Sequence, residues 1–197
     1  MMILYLMVAF FAVDLSEQNT NCTGVTFVTR KEWNARPPKE SYQYINESVP
    51  YAFIHHTAMT ECNDFESCCA EMRIIQNFHM DDRGWDDIGY SFLVGGDGRV
   101  YIGRDWGVVG AHTYRYNTVG YGISFMGTFT NKLPNENAME AVKKLIGCGV
   151  VQKYLQSDYG LYGHRDGRCT ECPGDKFYEH LKTWYRWHAK GTITKYC

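Results

Sequence analysis

The chain has 197 residues with 20 Lys and Arg against 22 Asp and Glu, a formal charge of −2, and is 45% hydrophobic and 21% charged. That length supplies one full core and hardly two, so a single domain is expected. The two signs of charge are interspersed with no basic stripe, which removes the electrostatic term on which nucleic-acid binding depends.

The stretch from Met1 to Val13 is apolar without a break and is followed at once by Asp14, Ser16 and Glu17. A transmembrane helix needs roughly 20 apolar residues, whereas roughly 7–15 at an N-terminus suit the core of a secretory signal. We therefore expect residues 1–16 to be a signal peptide, residues 17–197 to form the mature domain, no membrane span, and a secreted, extracellular product. No Lys or Arg precedes the run and no Ala-x-Ala cleavage site is evident. Eight cysteines point the same way, because reducing compartments rarely host so many in a chain of this size. Asn21-Cys22-Thr23 and Asn46-Glu47-Ser48 make Asn21 and Asn46 glycosylation acceptors.

Pro37-Pro38 marks a surface connection. Val49 to His56, short and apolar, suits a buried strand whose end delivers His55 and His56 to opposite sides. Cys69 to Asp81 carries Met72, Ile75, Phe78 and His79 at helical spacing. Tyr90 to Val94 and Arg99 to Ile102 flank Gly95-Gly96-Asp97-Gly98, a hairpin signal. Gly122 to Met126 reads as another strand. Asn135 to Gln156 places Ala138, Val142, Leu145, Ile146, Gly149 and Leu155 on one helical stripe, and Asp175 reads as the cap of a last helix carrying Phe177, Leu181 and Trp184. The mixture predicts an α/β fold, a central mixed β-sheet flanked by helices. Fifteen tyrosines and five tryptophans serve that core or leave aromatic faces for a groove that stacks on sugars or peptides.

The chemistry concentrates in His55, His164 and Cys172. Zn²⁺ accepts imidazole nitrogen and thiolate sulfur, and three protein ligands leave a fourth position open for water, the arrangement of catalytic sites. An activated water suggests a hydrolase. Taken alone, His55 and His56 also read as two satisfied strand histidines. Cys169-x-x-Cys172 also fits half of a structural zinc site or a redox pair, although no second Cys-x-x-Cys accompanies it.

Several stretches, in order, resemble the peptidoglycan recognition proteins: Ile54-His55-His56-Thr57-Ala58, Phe78-His79-Met80, Gly84-Trp85-x-Asp87-Ile88-Gly89-Tyr90, Gly110-Ala111-His112-Thr113, Gly122-Ile123-Ser124-Phe125-Met126-Gly127 and Gly163-His164-Arg165-Asp166. The resemblance covers about Cys22 to Trp187. It implies the fold shared with phage N-acetylmuramoyl-L-alanine amidases, and a function in innate immunity: binding bacterial peptidoglycan and cutting the amide between muramic acid and L-alanine. Some members of the family only bind wall fragments, so a non-catalytic receptor is the alternative, and a purely structural zinc a remoter one. Amidase-like members have a cysteine where Cys172 stands, which implies zinc held by His55, His164 and Cys172. Tyr90 matches the family's active-site tyrosine, and Thr170 stands where the phage enzymes have a catalytic lysine.

The resemblance further implies substrate contacts at His56, Thr57, His79, Arg83, Gly84, Trp85, Tyr90, His112 and Asn117. Gly84-Trp85 looks like the pair of members that favour meso-diaminopimelate at the third stem position. Thr118 replaces the arginine that would pair with the diaminopimelate carboxylate, so the preference between diaminopimelate and lysine stems stays open. Disulfides Cys62–Cys68 and Cys22–Cys148 are likewise implied. Cys69, Cys169 and Cys197 remain, consistent with one pair plus a free thiol or with an intermolecular bridge.

Overall fold

The computed structural model describes residues 22–197, so the expected signal peptide and the acceptor Asn21 lie outside the described residues. Six strands form one mixed sheet in the order β1-β4-β3-β5-β2-β6. They are β1 (Phe27–Val28), β2 (Val49–His56), β3 (Phe92–Val94), β4 (Val100–Ile102), β5 (Gly120–Phe125) and β6 (Leu155–Gly163). The pair β3 and β4 is the antiparallel hairpin expected around the glycine-rich turn, and every other neighbouring pair is parallel. The expected α/β architecture holds.

The reason β2 reads so plainly is its place. It lies inside the sheet between β5 and β6, covered on both faces, and such parallel strands need near-continuous apolar sequence. Its alternate residues divide the core. Ala52 and Ile54 join the cluster beneath helices α2 (Glu136–Val151) and α4 (Asp175–Leu181), with Val142, Leu145, Phe177 and Leu181. Phe53 faces the other way, against Tyr116 and Tyr162. On that second side helix α1 (Phe65–Asn77) adds Met72 and Ile75 against Leu93, Tyr101 and Met126.

Helix α1 begins four residues before the predicted start, because Asp64 caps it: its side chain accepts the Ser67 N–H and its own N–H reaches the Ser67 hydroxyl. The helix then widens into a π-turn over Phe78–Asp82 that carries His79. At the other end of the chain two expectations are corrected. Leu155 and Gln156 lie in β6, not in α2, which stops at Val151 and turns through Lys153 in the left-handed region (φ 63°). Asp175 is the first residue of α4 rather than its cap, which is Gly174, and Trp184 lies just beyond that helix. The two-residue strand β1 carried no signal of its own.

Disulfides Cys22–Cys148 and Cys62–Cys68 form as the resemblance implied. The third bridge is Cys169–Cys197, leaving Cys69 as a buried free thiol. Asn46 lies exposed on the surface. No described helix is long and apolar enough to cross a membrane.

Candidate active site

Parallel strands place their ligand crevice beyond their carboxyl ends, and the chemistry of this chain gathers there. Ile54 on β2 pairs with Gly163 on β6, so His55 and His164 leave neighbouring strands side by side, ring centroids 4.4 Å apart. His164 opens the short helix α3 (His164–Gly167). Cys172 arrives on the loop that follows, held by three backbone contacts. Its Sγ accepts the His56 N–H at 3.3 Å, its N–H donates to Thr170 Oγ1 at 3.2 Å, and its carbonyl accepts the Arg165 N–H at 3.1 Å.

One ligand atom each from His55, His164 and Cys172 lies within 4.8 Å of the others, and no fourth Cys, His or acid joins that group among the described residues. The Cys172 sulfur stands 3.9 Å from His55 Nδ1. Bond lengths of about 2.3 Å to sulfur and about 2.0 Å to nitrogen put tetrahedral zinc ligands about 3.5 Å apart, so that pair needs only a small contraction and the set as a whole a contraction on the order of 1 Å or less per pair. Burial pulls His55 well below the usual imidazole range and His164 to about 4, so both rings are neutral. Burial pushes the Cys172 thiol up to about 12, so a bound cation would supply the means to make it a thiolate. The donor set and its spacing fit zinc.

Above this set lies a pocket of about 190 Å³ that Thr57, His79, Arg83, Trp85, Tyr90 and His112 help to line, together with His164. The Tyr90 ring lies 5.2 Å from that of His55 and 5.5 Å from that of His79. Burial raises the Tyr90 phenol well above its ordinary value, and the neighbouring Cys172 adds to this, so the hydroxyl stays a proton donor. His79 packs on Trp85 at 4.7 Å, and its Nδ1 accepts the Gly89 N–H at 3.0 Å. Gly84 takes φ 69°, a left-handed turn that lets Trp85 fold back, with its N–H on the His79 carbonyl.

Beneath the Trp85 loop sits a polar anchor that sequence reasoning missed. Asp87, 0% exposed, pairs with Arg30 at 2.8 Å and accepts from Gln76 Nε2, the Ile88 N–H and the Tyr42 hydroxyl. Its full complement of partners is what makes a buried carboxylate tolerable.

The remaining expected residues lie elsewhere. His56 sits on the opposite face of β2, its Nδ1 accepting the Phe129 N–H at 3.3 Å. The Asn117 side chain turns inward, its Oδ1 accepting the N–H groups of His112 and Thr113 at 2.9 and 2.8 Å. Thr118 lines a separate surface hollow with Tyr44 and Val119. Thr170 is spent at least partly on the Cys172 N–H. A larger apolar groove of about 700 Å³ runs between α2, β6 and α4 and contains none of the metal set.

Residues 45–175 match the family model described as N-acetylmuramoyl-L-alanine amidase. The chain is 46% identical over 180 residues to the N-acetylmuramoyl-L-alanine amidase of Sus scrofa, covering 90% of this chain but only 30% of that longer protein. It is 41% identical over 166 residues to peptidoglycan-recognition protein SC2 of Drosophila melanogaster, covering 84% of this chain and 90% of the relative. Among solved structures, peptidoglycan recognition protein LE in complex with tracheal cytotoxin, a monomeric diaminopimelic acid-type peptidoglycan, superposes with a TM-score of 0.81 at 38% identity, over 82% of this chain and 95% of that one.

Proposed function

The chain belongs to the N-acetylmuramoyl-L-alanine amidase family, in its peptidoglycan-recognition branch, and from that premise we propose that it is a secreted zinc amidase of innate immunity that binds bacterial peptidoglycan and hydrolyses the amide between N-acetylmuramic acid and L-alanine. The observation that carries the catalytic half of this reading is the cluster of His55, His164 and Cys172 at the mouth of an aromatic pocket, with no further Cys, His or acid in the group among the described residues. Zinc bound there would supply Lewis acidity toward a carbonyl oxygen and lower the pKa of water toward about 7.

The chain's own residues do the rest. Tyr90, beside His55 and protonated at any working pH, donates a hydrogen bond to the oxygen on which negative charge develops. Thr170 steadies the Cys172 loop through its oxygen and keeps its hydroxyl proton free to donate. Trp85, stacked on His79, offers a face for sugar or peptide, and Thr57 and Arg83 bring polar contacts to the same wall. By resemblance Gly84-Trp85 favours a diaminopimelate stem, while Thr118 in place of arginine withdraws a bidentate carboxylate contact, so the preference between wall types stays open and is relaxed toward both. Secretion is supported by three disulfides, and Asn46 is an accessible glycan acceptor.

The test is to incubate the purified protein with diaminopimelate-type and lysine-type muropeptides, with and without a chelator. Free stem peptide should appear from both, vanish with chelator and return with zinc. Binding without release would leave a non-catalytic receptor, which the family also contains by resemblance. Strict dependence on diaminopimelate would show that Thr118 matters less than its chemistry implies.

A further inference from the structure

His55 Nδ1, which faces the Cys172 sulfur, binds a metal only if the ring's proton sits on the other nitrogen, Nε2. We propose that Thr113 is a positioning residue of the metal centre: a relay from the Gly120 carbonyl through His112 and Thr113 to His55 holds the proton of His55 on Nε2 and so presents its Nδ1 to zinc. The proposal rests on the zinc reading above.

The direction of every bond in the relay follows from its one unambiguous end. A backbone carbonyl only accepts, so His112 Nε2, 3.2 Å from the Gly120 oxygen, carries the hydrogen. As a neutral ring, His112 then has a bare Nδ1, and that atom lies 3.0 Å from Thr113 Oγ1. The hydroxyl has a single proton, which goes to His112. What Thr113 Oγ1 has left for its other neighbour, His55 Nε2 at 3.3 Å, is a lone pair. His55 must therefore donate from Nε2, and its Nδ1 is left bare, 3.9 Å from the Cys172 sulfur. A histidine that binds a metal through one nitrogen is oriented by what the other nitrogen meets, and here that partner is a hydroxyl with a fixed sense.

The packing around the relay leaves it no second arrangement. Asn117 Oδ1 pins the N–H groups of both His112 and Thr113. The His112 ring crosses β5 at Gly122, where a Cβ would lie 2.3 Å from the ring, and passes Gly110, where one would lie 2.5 Å from it. The Thr113 methyl packs at Gly167, 3.0 Å from where a Cβ would stand, which turns its oxygen toward the two histidines. Thr113 is itself wholly buried and contributes nothing to the pocket wall.

Two substitutions and one spectrum test this. Thr113→Val keeps the shape and removes the hydroxyl, whereas Thr113→Ser keeps the hydroxyl and removes the methyl. Starting from zinc-loaded protein, competition with a chromogenic chelator should show zinc affinity about 10–100-fold weaker in the valine variant, the usual cost of losing such an outer partner. The serine variant should restore it, which a loss of packing alone would not allow. Side-chain ¹H–¹⁵N spectra of the zinc-loaded wild type should find the His55 proton on Nε2 and the metal on Nδ1, a result that does not depend on either variant folding. Wild-type zinc affinity in the valine variant, or a His55 proton on Nδ1, overturns the relay alone. A wild-type protein that takes up no zinc overturns the metal reading and the relay with it, so the two failures are distinguishable.

Discussion

The backbone N–H of His56 donates to the sulfur of Cys172 at 3.3 Å, across 116 residues of sequence. The residue before His56 on β2 is His55, whose Nδ1 faces the same sulfur, and the loop that brings Cys172 is itself tied down by Thr170, by Arg165 and by the Cys169–Cys197 bridge. The end of one interior strand and a distant loop are thus stitched together with or without a metal. Such a site is assembled by the fold, and a bound ion would close it rather than create it.

Cys172→Ser separates the ion from the fold. Serine keeps an acceptor for the His56 N–H, so the loop stays in place, but a hydroxyl offers zinc no thiolate. Zinc affinity should fall by more than the roughly 10–100-fold that loss of an outer hydrogen-bond partner costs. Stem-peptide release should stop while muropeptide binding in the pocket largely survives, as a release assay and calorimetry of the variant beside the wild type would record. Unchanged turnover would refute the ligand assignment.

Tyr90→Phe removes one hydroxyl and leaves the ring that packs beside His55 and His79. If that hydroxyl meets the developing oxyanion, kcat should drop by about 10²–10³-fold with KM little changed, the cost of one donor of this kind. Steady-state kinetics on a soluble muropeptide would show it. A rise in KM alone would make Tyr90 a wall of the pocket and nothing more.

How much of this was legible depends on which physical cause governs each element. Val49–His56 was readable to the residue because a strand buried on both faces must be apolar throughout. Strand β6 was hidden. Its first residue, Leu155, continues the apolar stripe of α2, the helix is ended by a left-handed lysine rather than a glycine, and Gln156, Ser157 and Asp158 are too polar to read as a strand. The candidate metal set was legible from donor type together with the ordered family motifs, since His, His and Cys are what zinc takes but each of these residues alone also has a structural reading. Face and partner were not: Asn117 turns to the backbone, and Thr113 and Asp87 matter through bonds to residues far away in sequence.

Asp87→Ala should be among the most damaging single changes outside the metal set. The carboxylate is fully buried and joins Arg30, Tyr42 and Gln76 to the loop between Trp85 and Tyr90. Removing it leaves the Arg30 guanidinium without its counter-charge and takes an acceptor from three further donors, and breaking one side of a buried pair costs about 3–5 kcal/mol. Urea unfolding should register that loss. Where enough folded protein remains, muropeptide affinity should weaken too, because Trp85 loses its support. A change below about 1 kcal/mol, the scale of exposed pairs, would mean that water already reaches the network.

His79 makes stability depend on acidity in a direction that can be worked out. Burial, reinforced by Arg83 and Arg104, pulls its pKa from 6.5 down to about 4, and its Nδ1 accepts the Gly89 N–H. An unfolded histidine takes up a proton near pH 6.5, whereas the folded one refuses it until about pH 4. Between those values the unfolded state binds more protons, so the contribution of this group is complete above pH 6.5 and is lost progressively as the pH falls toward 4. Its full size is about 3 kcal/mol. His79→Asn keeps an acceptor near the position of Nδ1 and has no proton to gain. Urea titrations of the metal-free protein across this range should therefore give a shallower acid limb for the variant than for the wild type, the wild type losing stability relative to the variant as the pH falls. The other buried histidines titrate equally in both proteins and cancel. Parallel curves would show that His79 is already solvated enough to protonate in place.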